Sequence, residues 1–73
     1  MTIGQKIKEL RLAAGLKQYK FAEKIGVKPQ IVCLWETGRF EPSIFNCIVI
    51  ADFFNISLDE LCRDYKERNK TYE

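Results

Sequence analysis

A chain of 73 residues, 47% of them hydrophobic, has the size and apolar content of one small domain. At this length only about 60% of the unfolded surface is buried on folding, so the core is small and compact helices suit it. With no histidine, and three cysteines without a CxxC pair, the chain has neither a usual zinc-ligand set nor a disulfide framework.

Cys33, Cys47 and Cys62 are therefore expected to be reduced thiols that pack like small apolar residues, with no metal and no cofactor. Met1 to Lys6 has no apolar signal-peptide core. The densest apolar run, Cys47 to Ala51, is far too short to span a bilayer, so a cytoplasmic protein without membrane contact is expected. The net charge of +2 is unevenly placed. Residues 1–39 carry eight Lys/Arg against three Glu, or +5, whereas residues 40–73 carry four against seven acids, or −3. A basic first half is suited to a polyanion, with the acidic remainder turned away.

Thr2 followed by Gln5 is a capping-box start. Ile3, Ile7, Leu10, Ala13 and Ala14 then trace the apolar stripe of a first helix that Gly15 ends. A second helix starts near Lys17 or Gln18, buries Phe21, Ala22 and Ile25, and stops at Gly26, where glycine tolerates the left-handed backbone. Val27 drops toward the core across the turn. Pro29 suits the first position of a third helix, whose inner face takes Ile31 or Val32 together with Trp35, and which Gly38 ends. Helix, glycine-containing turn, helix is the sequence form of a helix-turn-helix. Ala22 is small where two crossed helices approach closely.

Ser43 caps a fourth helix, about Ile44 to Phe54, that is apolar nearly all round. The expected core stripe is Ile44, Cys47, Ile48, Ala51 and Phe54, with Ile50 beside it. That leaves Phe45, Val49 and Phe53 as an outward row and a possible dimer surface, unless the C-terminal tail covers it. Asn55 suits a left-handed cap, and Ser57 with Glu60 opens a fifth helix through Leu58 and Leu61. The expected domain is 1–62, followed by a charged tail, 63–73, that can extend the fifth helix before fraying.

Gln18, Ala22, Gly26-Val27 and Trp35-Glu36-Thr37-Gly38 fall in one register. Upstream stand Ile7-Lys8-Glu9-Leu10-Arg11 and Gly15-Leu16; downstream stand Pro42-Ser43, Ile50-Ala51 and Ile56 to Leu61. Over about residues 3–62 the chain resembles the Cro/phage-repressor (XRE-type) helix-turn-helix family. The resemblance implies an all-α, five-helix, lambda repressor-like DNA-binding domain, with helices 2 and 3 as the helix-turn-helix. It also implies that Arg11 pairs with Glu36 and that Gln18 donates to the DNA backbone. Lys28 departs from the family pattern, standing where a Ser or Thr cap is usual, and Leu34 stands where relatives commonly carry a polar residue.

The outward positions of the third helix are Pro29, Gln30, Cys33, Leu34 and Thr37. Gln30 can bond both N6 and N7 of adenine, and Leu34 can touch a thymine methyl. Base reading is assigned to Gln30, Leu34 and Cys33, and phosphate contact to Lys17, Gln18, Lys28, Thr37 and Arg39. The expected function is a sequence-specific regulator of transcription, a repressor, binding a double-stranded DNA operator as a homodimer with residues about 28–37 in the major groove. The alternative is a protein-interaction or antitoxin-like module on the same fold with a weakened DNA face. A chain with no histidine, no Gly-rich phosphate loop and no paired carboxylates in a pocket is not expected to be an enzyme or to take a small-molecule substrate.

Overall fold

The structure, a computed structural model, describes residues 1–63. It contains five helices among these residues: α1 (Ile3–Ala13), α2 (Gln18–Ile25), α3 (Pro29–Glu36), α4 (Ile44–Phe54) and α5 (Leu58–Cys62). The expected all-α architecture is present. Arg63 stands in extended backbone just after α5, and the tail expected beyond it lies outside the described residues.

Local chemistry sets the helix ends. The Thr2 hydroxyl accepts from the Gln5 amide at 3.1 Å, and the Gln5 side chain accepts from the Thr2 amide at 2.8 Å. Gly26 caps α2 at φ +83°, the left-handed conformation that L side chains adopt at a steric cost. Ser43 and Ser57 cap α4 and α5 through the amides of Asn46 and Glu60. Each such cap contributes about 1 kcal/mol.

The core comprises Ile7, Phe21, Ala22, Val32, Trp35, Cys47, Ile50, Ala51 and Leu61. Phe21 sits fully buried, with the Phe54 ring stacked at 5.4 Å between centroids and the Phe53 ring tilted at 5.9 Å. Of the two candidates on α3, Val32 is the fully buried one and Ile31 is half-buried.

Two helix faces differ from expectation. On α1 the inward stripe is Ile3, Gly4, Ile7, Leu10 and Arg11, while Ala13 and Ala14 are exposed. Arg11 takes the inward place in the last turn because it has a buried partner. On α4 the core row is Cys47, Ile50, Ala51 and Phe54; Ile44 and Ile48, expected inside, are 65% and 44% exposed. An i, i+3, i+4, i+7 row of residues 47, 50, 51 and 54 satisfies the core, and the helix is apolar on so many sides that no polar row fixes its rotation.

Gly4 sets how close α1 comes to α3. A β-carbon placed on Gly4 would stand 1.9 Å from the Trp35 carbonyl oxygen and 2.8 Å from its carbonyl carbon. Both are backbone atoms, so no side chain can swing aside. Gly4→Ala is predicted to lower stability by about 1–3 kcal/mol through overpacking. Urea denaturation checks this, with a lower midpoint at unchanged slope; a midpoint equal to wild type would contradict the contact.

Candidate nucleic-acid interface

The third helix is held from behind by a buried ion pair. Arg11 Nε donates to Glu36 Oε2 at 2.7 Å, and Arg11 Nη2 donates to Glu36 Oε1 at 3.0 Å. The remaining arm, Nη1, donates to the Leu16 carbonyl at 2.7 Å. Gln18 Nε2 donates to Glu36 Oε1 at 3.0 Å. The two charged side chains are only 8% and 3% exposed. Four donor contacts therefore join α1, the α1–α2 link, the first residue of α2 and the last residue of α3. The planar guanidinium matches the carboxylate in a two-pronged contact that a lysine cannot make.

This cluster fixes the α2–α3 crossing from the side opposite to solvent. Ala22, fully buried, lets the two helices approach, and Val27 folds back by donating its amide to the Ala22 carbonyl at 3.0 Å. The outer surface of α3 is then presented at a set angle.

On that surface Gln30 and Cys33 are exposed and Leu34 is half-buried. The Gln30 amide has no side-chain or backbone partner among the described residues. Thr37 is exposed, and its hydroxyl donates back to the Cys33 carbonyl at 2.9 Å, leaving its lone pairs outward. Arg39 is exposed just past Gly38, its backbone amide fixed to the Leu34 carbonyl at 3.0 Å. Lys17 and Lys28 occupy the N-cap positions of α2 and α3, and neither side chain makes a capping hydrogen bond. The first-turn amides of both helices thus lack a side-chain acceptor, and these are the groups that carry the positive end of the helix dipole. In α2 they belong to Gln18, Tyr19 and Lys20, whereas in α3 Pro29 has no N–H and Gln30 carries the free one. The arrangement is a set of uncapped amides and cations at the starts of α2 and α3, with an unpaired amide side chain, Gln30, in the first turn of α3.

Two features here are not expected from the sequence. Gln18 is tied to Glu36 by one of its two amide protons, so only the other remains for a phosphate. The α1–α2 link takes part through the Leu16 carbonyl. The open first-turn amides of α2, by contrast, are as the sequence leads one to expect, with Lys17 at the N-cap. On α4, the row assigned to a dimer surface is partly occupied: Val49 is half-buried, and Phe53 packs on Phe21 and Phe54. The apolar groups that do face outward are Ile44, Phe45 at 69% exposure, and Ile48, with Phe40 exposed in the preceding loop.

Fold and surface together define a helix-turn-helix DNA-binding domain. A family model described as Helix-turn-helix (HTH_3) matches residues 7–61, and the chain belongs to this family of transcriptional regulators, which are not enzymes. It is 34% identical over 62 residues to the cryptic phage CTXphi transcriptional repressor RstR of Vibrio cholerae, covering 85% of this chain and 55% of RstR. It is 31% identical over 61 residues to the transcriptional activator BcrR of Enterococcus faecalis, covering 84% of this chain and 30% of BcrR. The chain thus spans about a third to a half of these two regulators. Among solved structures it is similar to the restriction-modification controller protein C.AhdI of Aeromonas hydrophila, with TM-score 0.74, 34% identity, and 81% of this chain and 86% of that one covered. The P22 c2 repressor, crystallised with a synthetic operator, shares the fold at TM-score 0.80 and 22% identity, with 86% and 96% covered.

Glu36→Ala leaves Arg11 buried without its counter-charge, and a loss of about 3–5 kcal/mol is predicted. The paired replacement Arg11→Met with Glu36→Leu is predicted to recover most of it, because no buried charge then remains. Thermal unfolding of the single and double variants checks both statements; additive losses would contradict the coupling.

Proposed function

We propose that the chain is a sequence-specific regulator that lays α3 in the major groove of an operator. The observation that carries this is the free, exposed Gln30 amide in the first turn of α3, on a helix-turn-helix whose two N-caps are lysines and whose second helix is followed by the exposed Arg39. Gln30 supplies the base contact, bidentate to adenine, with Leu34 against a thymine methyl and Cys33 beside them. Lys17, Gln18, Lys28, Thr37 and Arg39 hold phosphates and set the register on the duplex. The first-turn amides of α2 add to this, since a helix N-terminus is an anion site.

The protein acts as a repressor in this reading. A domain seated across a promoter blocks it by occupancy, and RstR and the P22 c2 protein are repressors by name. It works as a homodimer, because one domain's few base contacts give modest affinity and a two-fold pair reads half-sites about 34 Å apart. The pairing surface is the exposed apolar side of α4 around Ile44, Phe45 and Ile48, with Val49 and Phe53 at its edge. No helix among the described residues is long and apolar enough to cross a membrane, and the site of action is the cytoplasm, where the DNA is.

The same apolar surface supports a second reading, in which α4 and Phe40 bind another protein and the DNA face is secondary. Selection of bound sites from a random duplex pool separates the two. An enriched inverted repeat with an adenine facing Gln30 in each half is expected; no enrichment would overturn the operator reading. On the selected site, Gln30→Ala is predicted to cost about 1–3 kcal/mol and relax preference at that base. Lys28→Ala and Arg39→Ala are predicted to weaken all duplexes alike, each reducing the slope of log affinity against log salt by about 0.9. Phe45→Glu is predicted to give a monomer in sedimentation equilibrium and to reduce affinity for the full repeat more than for a half-site.

A further inference from the structure

The three cysteines occupy two different environments. Cys33 is alone and exposed on α3. Cys47, on α4, and Cys62, the last residue of α5, face one another across a shared cleft, where the Cys62 thiol is close enough to act on the Cys47 thiol. Both line one cleft of about 430 Å³, bounded by Met1 to Ile3, Glu41, Pro42 and Ile44. Cys47 is buried and Cys62 is exposed, so the pair spans the boundary between core and solvent.

Packing holds them together. Cys47 stands on the core row of α4 with Ile50 and Ala51. Asn55, at φ 59°, turns the chain back, and Leu61, 1% exposed, pins α5 onto the same core. Cys62 follows Leu61 directly and meets α4 at Cys47. The Cys47 thiol also points its proton toward the Pro42 carbonyl, at 3.8 Å.

We propose that Cys47 and Cys62 form a dithiol site that a hydroperoxide closes into an intrachain disulfide joining α4 to α5. Cys62 is the sulfur a dissolved peroxide reaches. It attacks one peroxide oxygen, the O–O bond breaks, and Cys62 becomes a sulfenic acid while the other oxygen leaves as water with the Cys62 proton. The Cys47 sulfur then attacks the Cys62 sulfur. The S–O bond breaks, and the hydroxide leaves with the Cys47 proton as a second water. Two thiols lose two electrons and two protons, and one hydrogen peroxide becomes two waters.

Burial, the neighbouring Cys62 and the Glu41 carboxylate push the Cys47 thiol up to about 11, so it keeps its proton at neutral pH. It is thereby protected from direct oxidation and serves as the resolving partner. Neither α4 nor α5 carries a base-reading side chain, so the bond would act on the α4–α5 unit beside Ile44 and not on α3.

The test uses the full chain, reduced, freed of reductant and treated with a small excess of hydrogen peroxide. Remaining thiols are then alkylated under denaturing conditions and the product is analysed by mass spectrometry before and after proteolysis. The expected product has lost two hydrogens, carries one alkyl group at Cys33, and yields a cross-linked peptide containing Cys47 and Cys62. Its unfolding midpoint is expected to rise by about 5–15 °C and to fall back with dithiothreitol. The same link is expected in a Cys33→Ser variant, which excludes bridging through Cys33. Oxygen added to Cys62 with Cys47 still alkylated, or covalent dimers through Cys33 as the main product, would overturn the proposal.

Discussion

The contact on which the reading surface depends is the buried pair of Arg11 and Glu36. The two residues are far apart in the chain and belong to the first and third helices. Their two-pronged contact is completed by Leu16, which accepts from Arg11, and by Gln18, which donates to Glu36, so α1, the link after it and the start of α2 are joined to the last residue of α3. A buried charge pair is a poor source of net stability, since desolvation offsets most of the attraction. Its value here is geometric: the guanidinium plane permits only one relative placement of α1 and α3. Gly4 sets the same spacing sterically, at the other end of the α1–α3 contact, by letting the Trp35 carbonyl approach without a side chain between. One constraint is attractive and the other repulsive, and together they define distance and angle.

Because α3 is fixed from behind, its front can remain unsatisfied. Gln30 has no partner, and the lysines at both N-caps leave first-turn amides without side-chain acceptors. Serine or threonine at those caps would stabilise each helix by about 1 kcal/mol. Their absence at the helix-turn-helix, beside proper serine and threonine caps on α1, α4 and α5, concentrates positive potential on one side of the domain. The charge division along the sequence, +5 in residues 1–39 and −3 in 40–73, has the same sense.

Much of this was legible in the sequence wherever a local rule governs. Caps at Thr2, Ser43 and Ser57, the left-handed turns at Gly26 and Asn55, and the pairing of Phe21 and Ala22 toward the core follow from propensity and spacing. What was not legible is decided between elements. The rotation of α4 could not be read because Ile44, Phe45, Ile48, Val49 and Ile50 are chemically alike, and only packing against Phe21 and Leu61 selects Ile50 for the core. The role of Gly4 exists only once α3 is in place. The pairing of Arg11 with Glu36 is implied by the family resemblance alone, because the two residues, 25 positions apart, lie on different helices and no helical periodicity relates them. The bond from Gln18 to Glu36 likewise exists only in three dimensions, because the two residues lie on different helices.

The most direct test of the account is a titration of the isotopically labelled chain with a selected duplex, followed by amide chemical shifts. The account predicts that the largest changes fall on Gln18 to Lys20, on Lys28 to Leu34 and on Arg39, and that those of the α4 apolar side match the changes seen on dimer formation alone. Changes confined to α4, with residues 28–34 unmoved by DNA, would contradict it.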